Sequence, residues 1–339
     1  YSELIHKHEN RKNEEPLISL AEARKNKLKT DWGSVKITRP AFTGTMFLDD
    51  YPLDELRRYI DWTFFFHAWK IPGKYPDIFD DPVKGEEAHK LFNDAQVMIE
   101  EIIEKKMLKA RGVFGFYPAV TIGDDVVLLN NEDEKRPVST LHFLRNQEKK
   151  GDGVPNLSFA DFIAPETSGK VDYIGLFAVT AGIGIEKWVK HYEDSLDDYN
   201  SFMLKILADR FAEAFAERLH ERVRKEFWGY AADEQLPVAA MLKEEYQGIR
   251  PAPGYPGCPE HSEKSTIFGL LEAEKAGISL TENFAMYPAA SVSGYYFSHE
   301  FSRYFNLGKL LDDQVEDYAK RKNIPVEQAK RYLRPNLKE

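Results

Sequence analysis

The chain has 339 residues and a net charge of −10, which lacks the basic excess of a general nucleic-acid binder. Its single cysteine excludes an internal disulfide framework and fits a reducing, cytoplasmic setting. No apolar run reaches the length of a membrane span, since the longest, "YIGLFAVTAGIGI", is strand-sized and broken by glycine. With 42% hydrophobic residues, 22 Phe and 17 Tyr, a sizeable core is expected. Length alone suggests about two domains, or one large α+β domain.

Residues 1–28 are mostly charged, carry few apolar anchors and show no signal-peptide pattern. They read as an interdomain linker at the start of a piece of something longer, with the globular part spanning 29–339. "LDELRRYIDWTFFFHAWKI" (53–71) predicts a helix that becomes buried at its aromatic end, and "EEAHKLFNDAQVMIEEIIEKKML" (86–108) a plainer amphipathic one. From 111 the pattern turns to strands, with "GDD" at 123–125 as a hairpin turn. "RPVSTLHFLRN" and "DYIGLFAVTAG" add further strands. A long helix is predicted over 197–230, where Leu204, Ala208, Phe211, Phe215, Leu219, Val223 and Phe227 step by four and three along one face. A helix near 264–275, an aromatic β stretch "SVSGYYFSHEFSRYF" and two terminal helices complete the chain, Pro325 suiting the first turn of the last one. Helices and strands mix without strict βαβ alternation, which favours α+β over a doubly wound sheet.

Several stretches carry candidate chemistry. "VTAGIGIEKW" tempts a dinucleotide reading, but Lys187 stands at the third glycine position and no suitably placed acid lies downstream, so a plain strand-to-helix turn is favoured. Cys258 and His261 in "CPEH" have the spacing of half a zinc site. No second Cys exists and His6 and His8 fall in the linker, so no metal site is expected. Asp61 borders an aromatic cluster; it fits either a local ion pair with Arg57 or Arg58 or a carboxylate held for a cationic ligand group. Glu213 lies with Asp209 and Glu217 off the apolar stripe, where periodicity predicts a solvated face.

The densest signal is "GIRPAPGYPGCPEH" (248–261), with four prolines and three glycines in a segment no helix or central strand tolerates. Arg250 held between prolines loses less entropy on binding, and its planar fork suits a carboxylate. Gly254 allows close backbone approach, and Tyr255 offers a π face or a hydroxyl. The alternative is a structural loop with an exposed arginine. The residues alone describe a clamp for a small ligand and leave the ligand unnamed.

"RPAPGYP" at 250–256 resembles the Arg-x-x-x-Gly-Tyr signature of the S-adenosylmethionine-binding activation domain of cobalamin-dependent methionine synthase. The resemblance continues through "CPEHSEK", "LTENFAMYPAASVSGYYFSH", "DQVEDYAKRK" and "LRPNL". Earlier it runs through "YIDWTFFFHAW", "GKYPDIF", "RGVFGFYPA", "DFIAPETSGKVDYIGLFAVT" and "LADRFAEAFAERLHERVRKEFWGYA", in order from about residue 30. It implies a single α+β domain in which a twisted antiparallel sheet is flanked by helices and the ligand lies in a surface groove. It also implies a binding set of Asp61, Glu213, Arg250, Ala252 through its backbone, Gly254, Tyr255 and Tyr304. Phe305 stands where the family often has a second tyrosine, so only a backbone contact carries over there. Arg250 would take the ligand's carboxylate and Asp61 its ammonium. Tyr255 and Glu213 would line the space between sulfonium and cobalt, as positioning groups rather than as nucleophile or base.

The function so implied is reductive methylation of cob(II)alamin to methylcobalamin, reactivating methionine synthase with a methyl from S-adenosylmethionine and an electron from flavodoxin or another reductase. The family's cobalamin motif Asp-x-His-x-x-Gly does not occur in this chain. Cobalamin would therefore arrive on another domain of the same polypeptide, and zinc would belong to a domain that is also absent. Such a fragment would bind S-adenosylmethionine without completing methionine synthesis. The alternatives are a dinucleotide-binding oxidoreductase domain built on "AGIGIEKW" and a docking module that keeps the fold without the ligand. The intact Arg250, Gly254 and Tyr255 weigh against the latter.

Overall fold

The computed structural model describes residues 16–133 and 135–338. Its centre is strand β2 (Lys109–Ile122), whose one edge pairs with β1 (Gly44–Tyr51) and then with β3 (Asp125–Leu129). Its other edge pairs with β5 (Asp172–Ile183) from Lys109↔Ile183 to Ala119↔Asp172. β4 (Pro137–His142) extends the sheet beyond β3, and β8 (Ser291–Tyr296) closes it beyond β5. All these pairings are antiparallel, and the GDD turn joins β2 to β3 with Ile122 opposite Asp125. Two short strands, β6 (Ser279–Leu280) and β7 (Met286–Tyr287), pair separately.

The pleat sends alternate residues to opposite sides, and both sides are covered. Phe114, Phe116, Phe177 and Val179 lie on the side covered by α6 (Asp198–Arg222), against which α4 (Gly85–Glu104) packs in turn. Val113, Ile174, Leu176 and Ala178 face α8 (Glu263–Leu271) and the irregular segment around Phe159 and Phe162. The chain thus has the α+β architecture expected, an antiparallel sheet flanked by helices. The terminal helices α9 (Asp312–Lys322) and α10 (Val326–Leu333) pack through Leu144, Leu307 and Leu310.

Four local readings change. The helix expected over 53–71 is broken into α2 (Leu53–Leu56), a 3₁₀ turn and α3 (Trp62–Ala68). The break falls at Asp61, which takes an extended backbone and caps α3 by accepting from the Thr63 N–H at 2.9 Å. The long helix stops at Arg222, and Val223–Phe227 form a π-turn. The turn rotates the chain at its end so that Phe227 and Trp228 both meet sheet rings, Phe114 and Phe116. The aromatic stretch after 291 is strand only to Tyr296. Pro325 sits at the N-cap of α10, one residue before the first turn. Within the expected linker, residues 1–15 lie outside the described part, while α1 (Leu20–Lys25) packs on the domain, with Leu20 and Ala23 buried. The remaining helices are α5 (Ile185–Asp194) and α7 (Val238–Met241).

One buried ion cluster ties the non-sheet segments together. Arg145 donates to Asp124 in the GDD turn at 2.5 Å, and to both oxygens of Asp161 at 2.7 Å. Arg24 of α1 reaches the second Asp124 oxygen and Asp317 of α9, each at 2.7 Å. Asp161 closes the 3₁₀ turn Phe159–Phe162, so this cluster sets where Phe159 stands. Removing one partner of such a buried set leaves carboxylates unpaired in a dry interior. Arg145→Ala is expected to cost about 3–5 kcal/mol, read as a lower denaturant midpoint in chemical unfolding; a loss below about 1 kcal/mol would show the cluster to be marginal.

Candidate functional site

The Pro- and Gly-rich loop is held as an extra edge of the sheet. Ile249 and Phe297 exchange backbone hydrogen bonds of 3.0 Å, and the Tyr295 N–H donates to the Pro251 carbonyl at 2.9 Å. Gly294 permits this approach, because a Cβ there would lie 2.4 Å from the Pro251 oxygen. Arg250 sits between these anchored neighbours, and its own N–H donates to the Tyr304 hydroxyl at 3.0 Å. Its guanidinium crosses to α6, where Nη2 donates to Glu217 Oε2 at 2.8 Å. The cysteine and histidine further along the loop are structural. The Cys258 thiol donates to the Ala252 carbonyl at 2.9 Å, and burial pushes its pKa up, which disfavours the reactive thiolate. His261 Nδ1 meets Lys264 Nζ at 2.9 Å. Among the described residues no group of three or more His, Cys, Asp or Glu is placed to hold a metal.

Seven of the eight expected ligand residues line one cavity of about 770 Å³: Asp61, Glu213, Arg250, Ala252, Tyr255, Tyr304 and Phe305. They come from the α3 N-terminus, the middle of α6, the loop and the segment after β8, four places far apart in sequence. The eighth, Gly254, lies outside the lining. Its φ of 102° and a neighbour, His261, whose ring carbon would lie 2.3 Å from an added Cβ, account for glycine there. Close packing against His261 and the left-handed backbone both constrain this position.

Asp61 makes neither of the local ion pairs considered from sequence. Arg57 turns to Glu100 at 2.7 Å and Arg58 to the Tyr59 hydroxyl at 3.1 Å. Asp61 Oδ1 serves the helix cap, and Oδ2 makes no hydrogen bond to a described residue. The expectation of a solvated face on α6 fails at Glu217, whose side chain is only 4% exposed, while Asp209 is exposed as expected. Arg210, Glu213 and Glu217 all line the cavity. Their spacing of three and four was the available signal, but periodicity does not distinguish a polar stripe facing a cavity from one facing bulk water. Tyr59 and Phe64, flanking Asp61, and Glu244 were also missed.

The cavity wall holds four carboxylates, Asp61, Glu213, Glu217 and Glu244, against two guanidinium groups, Arg210 and Arg250. Burial is the largest influence and disfavours the Arg250 cation, but Glu217, Tyr246, Tyr304 and Glu213 together outweigh it and keep its pKa well above the ordinary value. Glu244 is pushed up by burial, partly opposed by Arg250. Tyr255 is raised chiefly by the Glu213 charge, then by burial. An acidic wall with one anchored arginine suits a ligand that carries a carboxylate and an excess of positive charge. Behind Arg250, His220 is fully buried, stacked on Tyr296 with ring centroids 5.3 Å apart. Burial first, then Arg224 and Arg250, depress its pKa well below 6.5. Residues 182–187 end β5 and begin α5, with Gly184 as the helix N-cap, so the glycines of "AGIGIEKW" form a strand-to-helix turn.

These packings generate two expected outcomes. Gly254→Ala should lower stability by about 1–3 kcal/mol from backbone strain alone, and adding His261→Ala should relieve only the steric part. A single variant with the parent's melting temperature would contradict this account. Because folded His220 resists protonation, its contribution is lost as pH falls through the unfolded value near 6.5. The slope should be up to about 1.4 kcal/mol per pH unit and should flatten in His220→Gln; equal slopes in both proteins would remove His220 as the cause.

Comparison with known proteins agrees with this geometry. A crystal structure of the MetH reactivation domain bound to AdoHcy is similar over 96% of this chain and 99% of that chain, with 48% sequence identity and a TM-score of 0.93. The family model described as the vitamin B12 dependent methionine synthase activation domain matches residues 52–323. The chain therefore belongs to the family of vitamin B12-dependent methionine synthase activation domains.

Proposed function

We propose that this chain binds S-adenosylmethionine in the cavity bounded by α3, α6 and the 249–258 loop, and so supports reductive methylation of cob(II)alamin to methylcobalamin. The observation that carries this reading is the convergence of Asp61, Glu213, Arg250, Tyr255 and Tyr304 on one acidic cavity with a single loop-anchored arginine. The similar MetH domain, which holds AdoHcy, supports the ligand class. Arg250 takes the α-carboxylate through the donors that Glu217 leaves unused. Asp61, with Oδ2 uncommitted, takes the ammonium. Glu213 and the face of Tyr255 stand near the sulfonium, where a carboxylate and a π face both favour positive charge. Cobalamin, carried by another domain of the same polypeptide and reduced by flavodoxin or a comparable reductase, supplies the nucleophile that accepts the methyl group. The residues here bind, orient and shield the methyl donor, and none has to act as nucleophile or base.

Arg250→Ala is expected to weaken S-adenosylmethionine binding by about 2 kcal/mol or more, measured by calorimetry. Arg250→Lys keeps a charge beside Glu217 but loses the planar fork, and should also bind less tightly. Unchanged affinity in both variants would remove Arg250 from the site. In the parent protein, ligand at 100 times Kd should add about 2.7 kcal/mol of stability in a thermal-shift titration.

A further inference from the structure

Glu217 is the most buried carboxylate in the cavity wall, and it uses half of its bonding capacity. Oε2 accepts from Arg250 Nη2 at 2.8 Å, whereas Oε1 is buried with no hydrogen-bond partner among the described residues. Arg250 is incomplete in the same way, since its Nε is buried without an acceptor and its side chain remains 20% exposed. Unfilled buried donors and acceptors are costly: the Arg250 Nε donor calls for an acceptor such as a carboxylate oxygen, and Glu217 Oε1 calls for a donor. The arginine is held at both ends. The loop holds its backbone against β8 and Tyr304, and α6 holds its tip through Glu217.

We propose that Glu217 is a positioning residue: it holds the Arg250 fork in the orientation that receives the ligand's α-carboxylate, and so makes the site select for ligands that carry one. This rests on the reading of the cavity as an S-adenosylmethionine site. Glu217 touches no reacting atom in this scheme and acts through Arg250. A fixed planar fork loses little freedom when a carboxylate docks, whereas a released arginine must be ordered at the moment of binding. The competing arrangement, in which Glu217 occupies the arginine and must be displaced, predicts the opposite sign.

The test is calorimetry on the parent, Glu217→Gln and Glu217→Ala with two probes, S-adenosylmethionine and decarboxylated S-adenosylmethionine. Glu217→Ala is expected to weaken the first about tenfold or more and the second by less than about twofold. Glu217→Gln, whose amide oxygen still accepts from Nη2, is expected to recover part of that loss. Equal losses for both probes would reduce Glu217 to a structural role, unchanged affinities would remove it, and tighter binding of S-adenosylmethionine would make it a competitor. Where the alanine variant fails to fold, the ratio between the two probes in Glu217→Gln decides in the same way. A parent that binds both probes equally overturns the positioning role and leaves the ligand reading standing. A parent that binds neither overturns the ligand reading and this role with it.

Discussion

The pairing of β2 with β5 is the constraint on which the rest of this structure depends. β5 is buried at every position but its last, and its sequence, "DYIGLFAVTAGI", offers no polar face to water. Such a strand forces a layer onto each side of the sheet, helix α6 backed by α4 on one and α8 with the Phe159 segment on the other. It also leaves β8 as the edge strand on that side, with backbone groups that need partners. The proline-rich loop fills that need at 249–251. The arginine that defines the cavity is therefore positioned by the same hydrogen bonds that close the sheet.

The electrostatics of the site are set by the groups standing behind it. The cavity wall is acidic, yet its arginine is backed by Glu217 and by a neutral histidine stacked on Tyr296. A second buried arginine, Arg224, pairs with Glu234 at 2.8 Å and lies 4.1 Å from the centre of the Tyr246 ring. Both cations act on the buried His220, and either would be costly there without its own carboxylate. Each has one, which lets the pair share a dry aromatic setting while only Arg250 faces the ligand space.

Much of the architecture was legible because it depends on local period. The β2–β3 hairpin announces itself through GDD, and the four-and-three spacing from Leu204 to Leu219 marks the buried side of α6. The break at Asp61 was missed although an aspartate ahead of the largely apolar run 62–66 is an N-cap signal, because the continuous apolar pattern on both sides read as one helix. Residues 297–305 read as strand from their aromatic content, but Phe305 packs on Phe159 with centroids 4.6 Å apart and pairs with no strand. For the site, the loop residues were visible from proline and glycine chemistry, and the named ligand came from resemblance. Glu217 was misplaced because a polar helix stripe reads the same against water or against a cavity.

The ion cluster joins segments that lie far apart in the sequence. Arg24 grips Asp124 and Asp317, which lie 100 and 293 positions further along the chain. A displacement of the segment around Arg24 is thus coupled through those carboxylates to the sheet hairpin and to a terminal helix together. Asp161 of the same cluster closes the turn that carries Phe159, and Phe159 lines the cavity, so the N-terminal segment and the ligand space share one support.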